Sequence, residues 1–343
     1  MSNRFSLASD NVAPVHPAIL AAIERANHGP APSYGHDAWT DAAVSRFRSV
    51  FGDGTEVLVV ANGTAANVLG LRARVDSYHA VLCAETSHLW RDECSAPEHF
   101  LGAKLVPIDS PDGKLTPELV RPFLRGFGFV HQAQPRAISV AQPTEWGTVY
   151  TEAELRALAD LAHEHDMIFH VDGARLANAA VALGVPLGRL GADAGVDVLS
   201  FGGTKLGLLA AEAVLFFGPP SGGRSAFYRK QAMQLLSKLR FFSAQLEALL
   251  AGDLWHELAG HANAMATRLG AGLAAIDGFE LVRPVQTNAV FVRMPETAVE
   301  PLRREADFYL WDPADSVARL MTAWNTEPEP IDRFVAAAAA LAR

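Results

Sequence analysis

Short apolar runs alternate with amphipathic segments over the first two-thirds of the chain. One amphipathic segment, from Glu152 to His163, places Leu155, Leu158, Ala159 and Ala162 at helical spacing. Strand-like runs that alternate with helices predict a largely parallel sheet covered on both faces, which is an α/β fold. Seven runs are predicted strands: Val57 to Val60, Ala80 to Cys83, Leu105 to Ile108, Ala137 to Val140, Met167 to Val171, Val196 to Phe201 and Ala213 to Phe217. Because such sheets bind ligands at the carboxyl ends of their strands, the residues after each run are the first candidates for chemistry.

The pattern changes near Phe241, where long segments rich in Ala and Leu begin. They are interrupted from Phe279 to Val292 and end in a predicted helix from Ile331 to Leu341. We expect a smaller C-terminal domain that is joined to the first through a long helix. The predicted division is an N-terminal arm at residues 1–15, a large domain at residues 16–243 and a small domain at residues 244–343.

Composition narrows the class of protein. Half of the 343 residues are hydrophobic and the net charge is −9, which disfavours binding to nucleic acid or an anionic membrane because phosphate binding needs a concentrated basic surface. The longest apolar stretch, Leu206 to Phe217, is shorter than the roughly 20 residues that a membrane helix needs. Cys83 and Cys94 are too few for a disulfide framework, and residues 1–10 lack the apolar core of a secretory signal. These features predict a cytoplasmic protein.

Lys205 stands out among the lysines because of the segment around it. The sequence Ser200-Phe201-Gly202-Gly203-Thr204-Lys205-Leu206-Gly207 follows a predicted buried strand. Burial there disfavours a charged ammonium and so favours the neutral amine that imine formation requires. The alternative is a structural lysine whose amine reaches solvent from the strand end. The remaining lysines border a strand, a turn or a polar helix: Lys104, Lys114, Lys230 and Lys238.

Three further segments follow predicted strands. Asp172 could keep a pyridine nitrogen protonated, although an aspartate there also caps helices. The backbone amides of the turn at Gly63 and Thr64 could bind a phosphate, although an ordinary strand-to-helix turn has a similar sequence. His88 could stack on an aromatic cofactor or transfer protons, or it could be structural.

Two other kinds of site are disfavoured by spacing. His256, Glu257 and His261 are one residue too widely spaced for the zinc motif His-Glu-x-x-His, and we predict no metal site. No Gly-x-Ser-x-Gly segment is present, so a serine hydrolase has no support.

Taken in chain order, these motifs make a set that is far more specific than any one of them. The chain resembles the low-specificity L-threonine aldolases, which are fold-type I enzymes dependent on pyridoxal 5'-phosphate, in the aspartate aminotransferase-like superfamily. The resemblance is strongest to a bacterial subgroup with an Asp-Glu-Cys segment and a Ser-Lys-x-Arg-Phe helix. Further segments that support the resemblance are Ser9-Asp10-Asn11, Tyr34-Gly35-His36-Asp37, Asp92-Glu93-Cys94, Ser237 to Phe241 and Arg319 to Trp324.

The resemblance implies both architecture and assembly. It implies a large cofactor-binding domain with a mainly parallel seven-stranded sheet between helices, and a smaller C-terminal α+β domain. It also implies homodimers or homotetramers with shared active sites.

The resemblance implies a role for each matching residue. Lys205 would form the Schiff base with the cofactor, Asp172 would pair with its pyridine nitrogen, and His88 would stack over its ring. Gly63, Thr64 and Arg240 would bind the phosphate, with Lys238 as the alternative to Arg240. Arg175 would lie near the phenolic oxygen and the substrate. Ser9 and Arg319 would bind the substrate carboxylate, and Tyr34 would line the substrate pocket. Tyr34 and Arg240 could come from a neighbouring subunit.

The implied reaction is retro-aldol cleavage of L-threonine, L-allo-threonine and related L-3-hydroxy-amino acids to glycine and an aldehyde. The alternatives are an aldolase that prefers phenylserine, a β-eliminating lyase, an aminotransferase, and a catalytically silent regulator. The regulator is disfavoured by the acidic charge and by the lack of a DNA-binding module.

One departure from the family leaves the base for the β-hydroxyl proton open. Many threonine aldolases have a Glu-Asn-Thr-His stretch whose histidine is proposed to act on this hydroxyl, whereas this chain has Ala141-Gln142-Pro143-Thr144-Glu145. The candidates are His88, a bound water, and Thr144 acting through water.

Overall fold

One seven-stranded sheet organises the first two-thirds of the chain. The computed structural model describes residues 5–218, 221 and 223–342. The strands are β1 (Glu56–Val60), β2 (His79–Ala84), β3 (Lys104–Ile108), β4 (Gln134–Ala141), β5 (Ile168–Gly173), β6 (Val198–Gly202) and β7 (Glu212–Phe216). Their order is β1-β7-β6-β5-β4-β2-β3, with β7 antiparallel to both of its neighbours and the remaining pairs parallel. Each predicted run forms one of these strands, so the predicted mainly parallel sheet is confirmed.

The strands are almost continuously apolar because both faces of the sheet are covered. Every residue of β2, β6 and β7 is buried. Successive side chains of a strand point to opposite faces, and Val198 and Leu199 accordingly belong to different hydrophobic cores. The polar side chains of the site are therefore concentrated at and beyond the strand ends.

Helices cover the sheet and continue into the C-terminal region. The predicted helix from Glu152 to His163 is present and begins with a capping box, in which Thr151 and Glu154 bond each other's backbone amides. The helices are α1 (Pro17–Ala26), α2 (Ala38–Phe51), α3 (Gly63–Arg72), α4 (His88–Arg91), α5 (Ala96–Leu101), α6 (Pro117–Val120), α7 (Glu152–Glu164), α8 (Leu176–Leu183), α9 (Arg224–Gln231), α10 (Arg240–Leu250), α11 (Leu254–Ala274), α12 (Glu296–Glu305) and α13 (Pro328–Leu341). No helix among the described residues is long and apolar enough to cross a membrane.

A second sheet lies in the C-terminal third. Its antiparallel strands are β8 (Glu280–Leu281), β9 (Ala289–Arg293), β10 (Tyr309–Asp312) and β11 (Val317–Met321), in the order β10-β11-β9-β8. Val290, Leu320, Leu269 and Phe334 share a core that is distinct from those of the large sheet. The smaller mixed α and β unit expected at the C-terminus is present.

The two sheets are linked by α10 and by the N-terminal segment. The boundary predicted between residues 243 and 244 falls inside α10, whose Leu246 and Leu249 pack in a core of the large sheet. We therefore propose that the small domain begins after Leu250. The predicted arm is described from Phe5 onward, since residues 1–4 lie outside the described residues.

The arm adds backbone pairing to the small sheet. Leu7 is fully buried, its amide donates to the Asp307 carbonyl at 2.7 Å, and its carbonyl accepts from the Met321 amide at 2.7 Å. This pairing holds the following residues, Ser9 and Asp10, beside the strand ends of both sheets.

Candidate active site

A cavity of about 350 Å³ lies between the carboxyl ends of the large-sheet strands and the small sheet. Six residues singled out from the sequence line this one cavity: Ser9, His88, Thr144, Arg175, Lys205 and Arg319. They come from the arm, from the segments after β2, β4, β5 and β6, and from β11. This is the position at which parallel α/β sheets bind ligands.

Lys205 is held on a short 3₁₀ turn directly after β6. Glu212 fixes this turn, because its carboxylate accepts from the Gly203 amide at 2.7 Å and from the Thr204 amide at 3.3 Å. Gly202 must lack a side chain, since a Cβ atom there would overlap the backbone carbonyl of Ala174. Within the described residues, no hydrogen bond or salt bridge engages the Lys205 amine, which leaves it available to a ligand.

Asp172 stands at the end of β5 and is tied to two neighbours. Its Oδ2 accepts from Asn67 Nδ2 at 2.8 Å, and its Oδ1 accepts from the Ala174 amide at 3.0 Å. Burial opposes ionisation, but the positive field of His88 and the hydrogen bond from Asn67 outweigh it and lower the pKa of Asp172. The residue is therefore a half-buried carboxylate rather than a neutral acid.

His88 is positioned by a buried carboxyl group, that of Glu93. The Nδ1 atom of His88 lies 2.8 Å from Oε1 of Glu93, which also accepts from Asn67 Nδ2 at 2.9 Å. The hydrogen bond to Glu93 raises the pKa of His88, and burial raises the pKa of Glu93. The pair thus retains a proton over a wider pH range than either group would alone.

A neutral histidine supports Asp172 from the same strand. His170 is fully buried, with Nδ1 2.8 Å from Ser139 Oγ and Nε2 3.1 Å from Ser200 Oγ. Burial lowers the pKa of His170 to about 4. It therefore places no second charge near Asp172 at neutral pH.

Arg175 is neutralised by a carboxylate from the arm. Its Nε donates to Asp10 Oδ2 at 2.6 Å and its Nη2 donates to Asp10 Oδ1 at 2.8 Å. Asn288, which precedes β9, donates to the same carboxylate at 3.0 Å. Burial disfavours the charge on Asp10, yet Arg175 outweighs burial and lowers the pKa of this carboxyl group. One carboxylate thus joins the arm, the end of β5 and the small sheet.

Arg319 brings a positive charge into the cavity, and no salt bridge to it is present among the described residues. It lies on β11 opposite Phe291 and Tyr309, with its guanidinium 5.5 Å from the centroid of the Trp311 ring. Its buried Nε has no hydrogen-bond partner among the described residues. Burial and the nearby charge of Arg175 lower the pKa of Arg319. A ligand carboxylate would supply the bidentate partner that this guanidinium lacks.

Glu145 was not among the residues predicted for the site, but it lines the cavity directly after β4. One carboxylate oxygen, Oε1, accepts from the His88 amide at 3.0 Å. The other, Oε2, has a long contact of 3.4 Å with the Thr86 hydroxyl. The residue is half-buried, and burial of the carboxyl group raises its pKa to about 7.

Five predicted site residues, Asp172 among them, lie outside the lining of this cavity. Gly63 and Thr64 form the first turn of α3, whose N-cap is Asn62. Tyr34 is 45% exposed and has a positive φ of 61°, with the Lys230 amine 5.4 Å from its ring centroid.

Arg240 is the fifth of these residues and begins α10. Its guanidinium lies 4.9 Å from the centroid of the Phe241 ring. Its buried Nε has no hydrogen-bond partner among the described residues, whereas Lys238 is exposed.

Serine and asparagine side chains complete the site. The Ser9 hydroxyl accepts from the Asn11 amide at 3.2 Å, which fixes it at the start of a short 3₁₀ helix. Sequence reasoning missed Asn67 and Asn288, because asparagines on a helix or before a strand have no distinctive local pattern. Asp10 and Glu93 were signalled only indirectly, as members of segments that carry the family resemblance.

A carboxylate and a lysine at the ends of parallel strands, with an arginine from the small sheet in the same region, are features of an α/β enzyme active site. A family model described as Beta-eliminating lyase matches residues 6–297. The low specificity L-threonine aldolase of Pseudomonas sp. (strain NCIMB 10558) is 42% identical over 96% of this chain and 95% of its own length, and that of Pseudomonas aeruginosa is 41% identical over 94% of each. The chain therefore belongs to the beta-eliminating lyase family.

Solved structures agree with this assignment. A threonine aldolase from Leishmania major superposes with a TM-score of 0.93 at 29% identity, covering 99% of this chain and 100% of that one. The resemblance inferred from the motifs is therefore confirmed, as is the expected fold.

Proposed function

We propose that this protein is a lyase that cleaves L-threonine, L-allo-threonine and related L-3-hydroxy-amino acids to glycine and an aldehyde. The observation that carries the proposal is the single cavity that contains both the free amine of Lys205 and the unpaired guanidinium of Arg319. The names of the Pseudomonas relatives, which align over nearly the whole chain, support the same reaction.

The residues present fit pyridoxal 5'-phosphate as the cofactor. Lys205 would hold its aldehyde carbon, and the low pKa of Asp172 suits a carboxylate that keeps a pyridine nitrogen protonated. Gly63 begins a ten-residue helix and has open space where its side chain would be, so its amide suits a phosphate. The unpartnered Nε of Arg240 supports that residue, rather than Lys238, as a further phosphate ligand.

When bound, pyridoxal phosphate supplies an electron sink that stabilises negative charge on the substrate Cα atom. Arg319 and Ser9 would bind the substrate carboxylate and thereby fix rotation about the bond between Cα and nitrogen. That orientation aligns the Cα–Cβ bond for cleavage, and effects of this kind reach about 7 to 11 kcal/mol in the best intramolecular models. His88, oriented by Glu93, would present its ring to the cofactor.

Product analysis of the purified enzyme tests the proposed reaction. L-threonine, L-allo-threonine and L-phenylserine should each yield glycine and the matching aldehyde in equal amounts. Ammonia with a 2-oxo acid would instead indicate β-elimination, and amino transfer to an added 2-oxo acid would indicate an aminotransferase. A faster rate with L-phenylserine than with L-threonine would favour the phenylserine-preferring alternative.

Chemical trapping tests the proposed attachment to Lys205. Borohydride reduction followed by proteolysis and mass spectrometry should find the cofactor on the peptide that contains Lys205. Lys205→Ala should lose this adduct and the cofactor's visible absorbance. Lys104→Ala, a matched change at the exposed start of β3, should retain both.

The proposal includes an oligomer with shared active sites in the cytoplasm. Tyr34 and Arg240 do not line the cavity of their own chain, which supports their use by a neighbouring subunit. Cys83 and Cys94 are both free thiols, in keeping with a reducing compartment. Analytical ultracentrifugation should find a dimer or a tetramer.

A further inference from the structure

We propose that Glu145 is the catalytic residue that accepts the β-hydroxyl proton of the substrate. This inference rests on the proposed aldol cleavage and identifies the base that the sequence left open. Glu145 belongs to the segment Ala141-Gln142-Pro143-Thr144-Glu145, which differs from the family's Glu-Asn-Thr-His stretch.

The position of Glu145 separates it from the other carboxylates of the site. Among the described residues that line the cavity, only Asp92 and Glu145 carry carboxylates. Asp172 and Glu93 lie outside the lining and are bridged by Asn67. Asp92 is exposed, whereas Glu145 is half-buried and has only a long contact at Oε2. Glu145 therefore offers a partly desolvated oxygen to a ligand in the cavity.

Hydrogen bonds within the site make Thr144 and His88, the other side chains considered, less suitable as the base. The Thr144 hydroxyl is 2.6 Å from the Thr148 hydroxyl, which in turn donates to the Asp112 carbonyl at 2.9 Å. This network occupies the Thr144 proton, and a hydroxyl group is a poor proton acceptor at neutral pH. His88 has Nδ1 engaged by Glu93, and this bond raises the pKa of His88, so it holds its proton more firmly than a free histidine does.

The proposed step balances in atoms and electrons, with the Glu145 carboxylate as the only proton acceptor. The O–H bond of the substrate breaks, and its proton moves to Glu145. The electron pair of that bond becomes the second bond of the aldehyde C=O group, while the Cα–Cβ bonding pair remains on Cα. A proton taken up at Cα completes glycine, and loss of the proton from Glu145 to solvent restores the carboxylate.

The surroundings of Glu145 suit a base that works near neutral pH. Burial raises its pKa to about 7, and a general base is most effective when its pKa lies near the working pH. The titratable and charged groups that act on it come from each neighbouring element: His88, Asp172, Arg175, Cys83 and Tyr150. Of these, Asp172 raises the pKa of Glu145, and His88 lowers it.

Glu145→Gln in the holoenzyme tests the inference, because glutamine keeps the shape and the acceptor for the His88 amide. Cleavage of L-threonine should fall about 10²- to 10⁴-fold. Exchange of the glycine α-hydrogen with deuterated solvent, followed by proton NMR, needs no β-hydroxyl base and should stay within about threefold of wild type. The cofactor's visible absorbance should not change.

The pH dependence supplies a second readout, with Asp92→Asn as the matched control. The wild type should lose kcat/KM as the pH falls below about 7, and Asp92→Asn should retain this acid limb. Infrared difference spectra of the wild type and of Asp92→Asn across the same pH range should contain the band of a protonated carboxyl group. The spectra of Glu145→Gln should lack this band.

The possible failures are distinguishable. If the wild type cleaves threonine and Glu145→Gln cleaves it equally well with the same acid limb, the inference is wrong while the proposed function stands. If the variant loses cleavage and glycine exchange to the same extent, Glu145 organises the site and is not the base. If the wild type exchanges glycine but cleaves no 3-hydroxy-amino acid, the proposed function itself is wrong, and the inference with it.

Discussion

Asn67 uses its side-chain amide to join Asp172, at 2.8 Å, to the Glu93 carboxyl group, at 2.9 Å. Two acidic side chains are thereby held next to each other, and the field of Asp172 helps to raise the pKa of Glu93, after the larger effect of burial. Asn67→Leu should remove this bridge, raise the pKa of Asp172 and weaken cofactor binding about tenfold, measured by loss of visible absorbance on dilution. Unsatisfied buried groups of this kind cost about 1 to 3 kcal/mol.

Asn178→Leu is the matched control for the Asn67 variant. Asn178 is also buried and is bonded to Asn263, outside the cavity lining. The Asn178→Leu variant should be less stable than wild type but should bind the cofactor with nearly the same affinity. Equal cofactor loss in both variants would show that the effect of Asn67 is one of general stability.

Arg319 should control amino-acid affinity. Arg319→Ala removes the unpaired guanidinium and should raise KM for L-threonine about 100-fold, since charge-assisted bidentate bonds are strong, while the cofactor absorbance is kept. Titration with glycine, followed by the absorbance change, measures the affinity directly. Arg293→Ala, a change at a half-buried arginine on the same small sheet and outside the cavity lining, serves as the control. Loss of the cofactor with unchanged glycine affinity would reassign Arg319.

The pair of Asp10 and Arg175 should contribute strongly to stability. Asp10→Asn leaves a largely buried guanidinium without its carboxylate, and removing one partner of a buried ion pair costs about 3 to 5 kcal/mol. Urea unfolding measures this loss. Asp332→Asn breaks a similar bidentate pair with Arg268 on the surface and should change stability little. Similar losses in the two variants would contradict the assigned importance of burial.

Glu145 should make stability depend on pH. The pKa of Glu145 in the folded state, about 7, lies above its pKa in the unfolded chain. Its contribution to the free energy of unfolding is therefore fully present below the unfolded-state pKa and is lost as the pH rises through the folded-state pKa. The free energy of unfolding of Glu145→Gln, relative to that of wild type, should therefore increase by on the order of 3 kcal/mol between about pH 4.5 and about pH 7. Above that range the difference should stay constant. Urea unfolding of both proteins across this range checks it. Parallel stability curves would contradict the raised pKa.

The sequence predicted the large sheet well because hydrophobic periodicity is local information. Each apolar run became a strand, and the residues after β2, β5 and β6 do meet in one cavity. The domain boundary at residues 243 and 244 stays a prediction; it falls inside α10, which has an Ala- and Leu-rich composition and buries Leu246 in a core of the large sheet.

Partnerships between distant residues could not be predicted from spacing. The contact between Asp10 and Arg175 joins positions 165 residues apart, and that between Asn67 and Asp172 spans 105 residues. Glu145 is visible in the sequence as an acid after a predicted strand, but its burial and its contact with the His88 amide depend on tertiary packing. The roles of Tyr34 and Arg240 stay predictions, because a single chain does not test a site shared between subunits.

The measurement that tests the central claim most directly is the stoichiometry of products from L-threonine. With the cofactor bound, the wild type should form glycine and acetaldehyde in a ratio of about one to one, and Lys205→Ala should form neither. Ammonia and 2-oxobutanoate in place of glycine and acetaldehyde, or equal turnover by Lys205→Ala, would contradict the account.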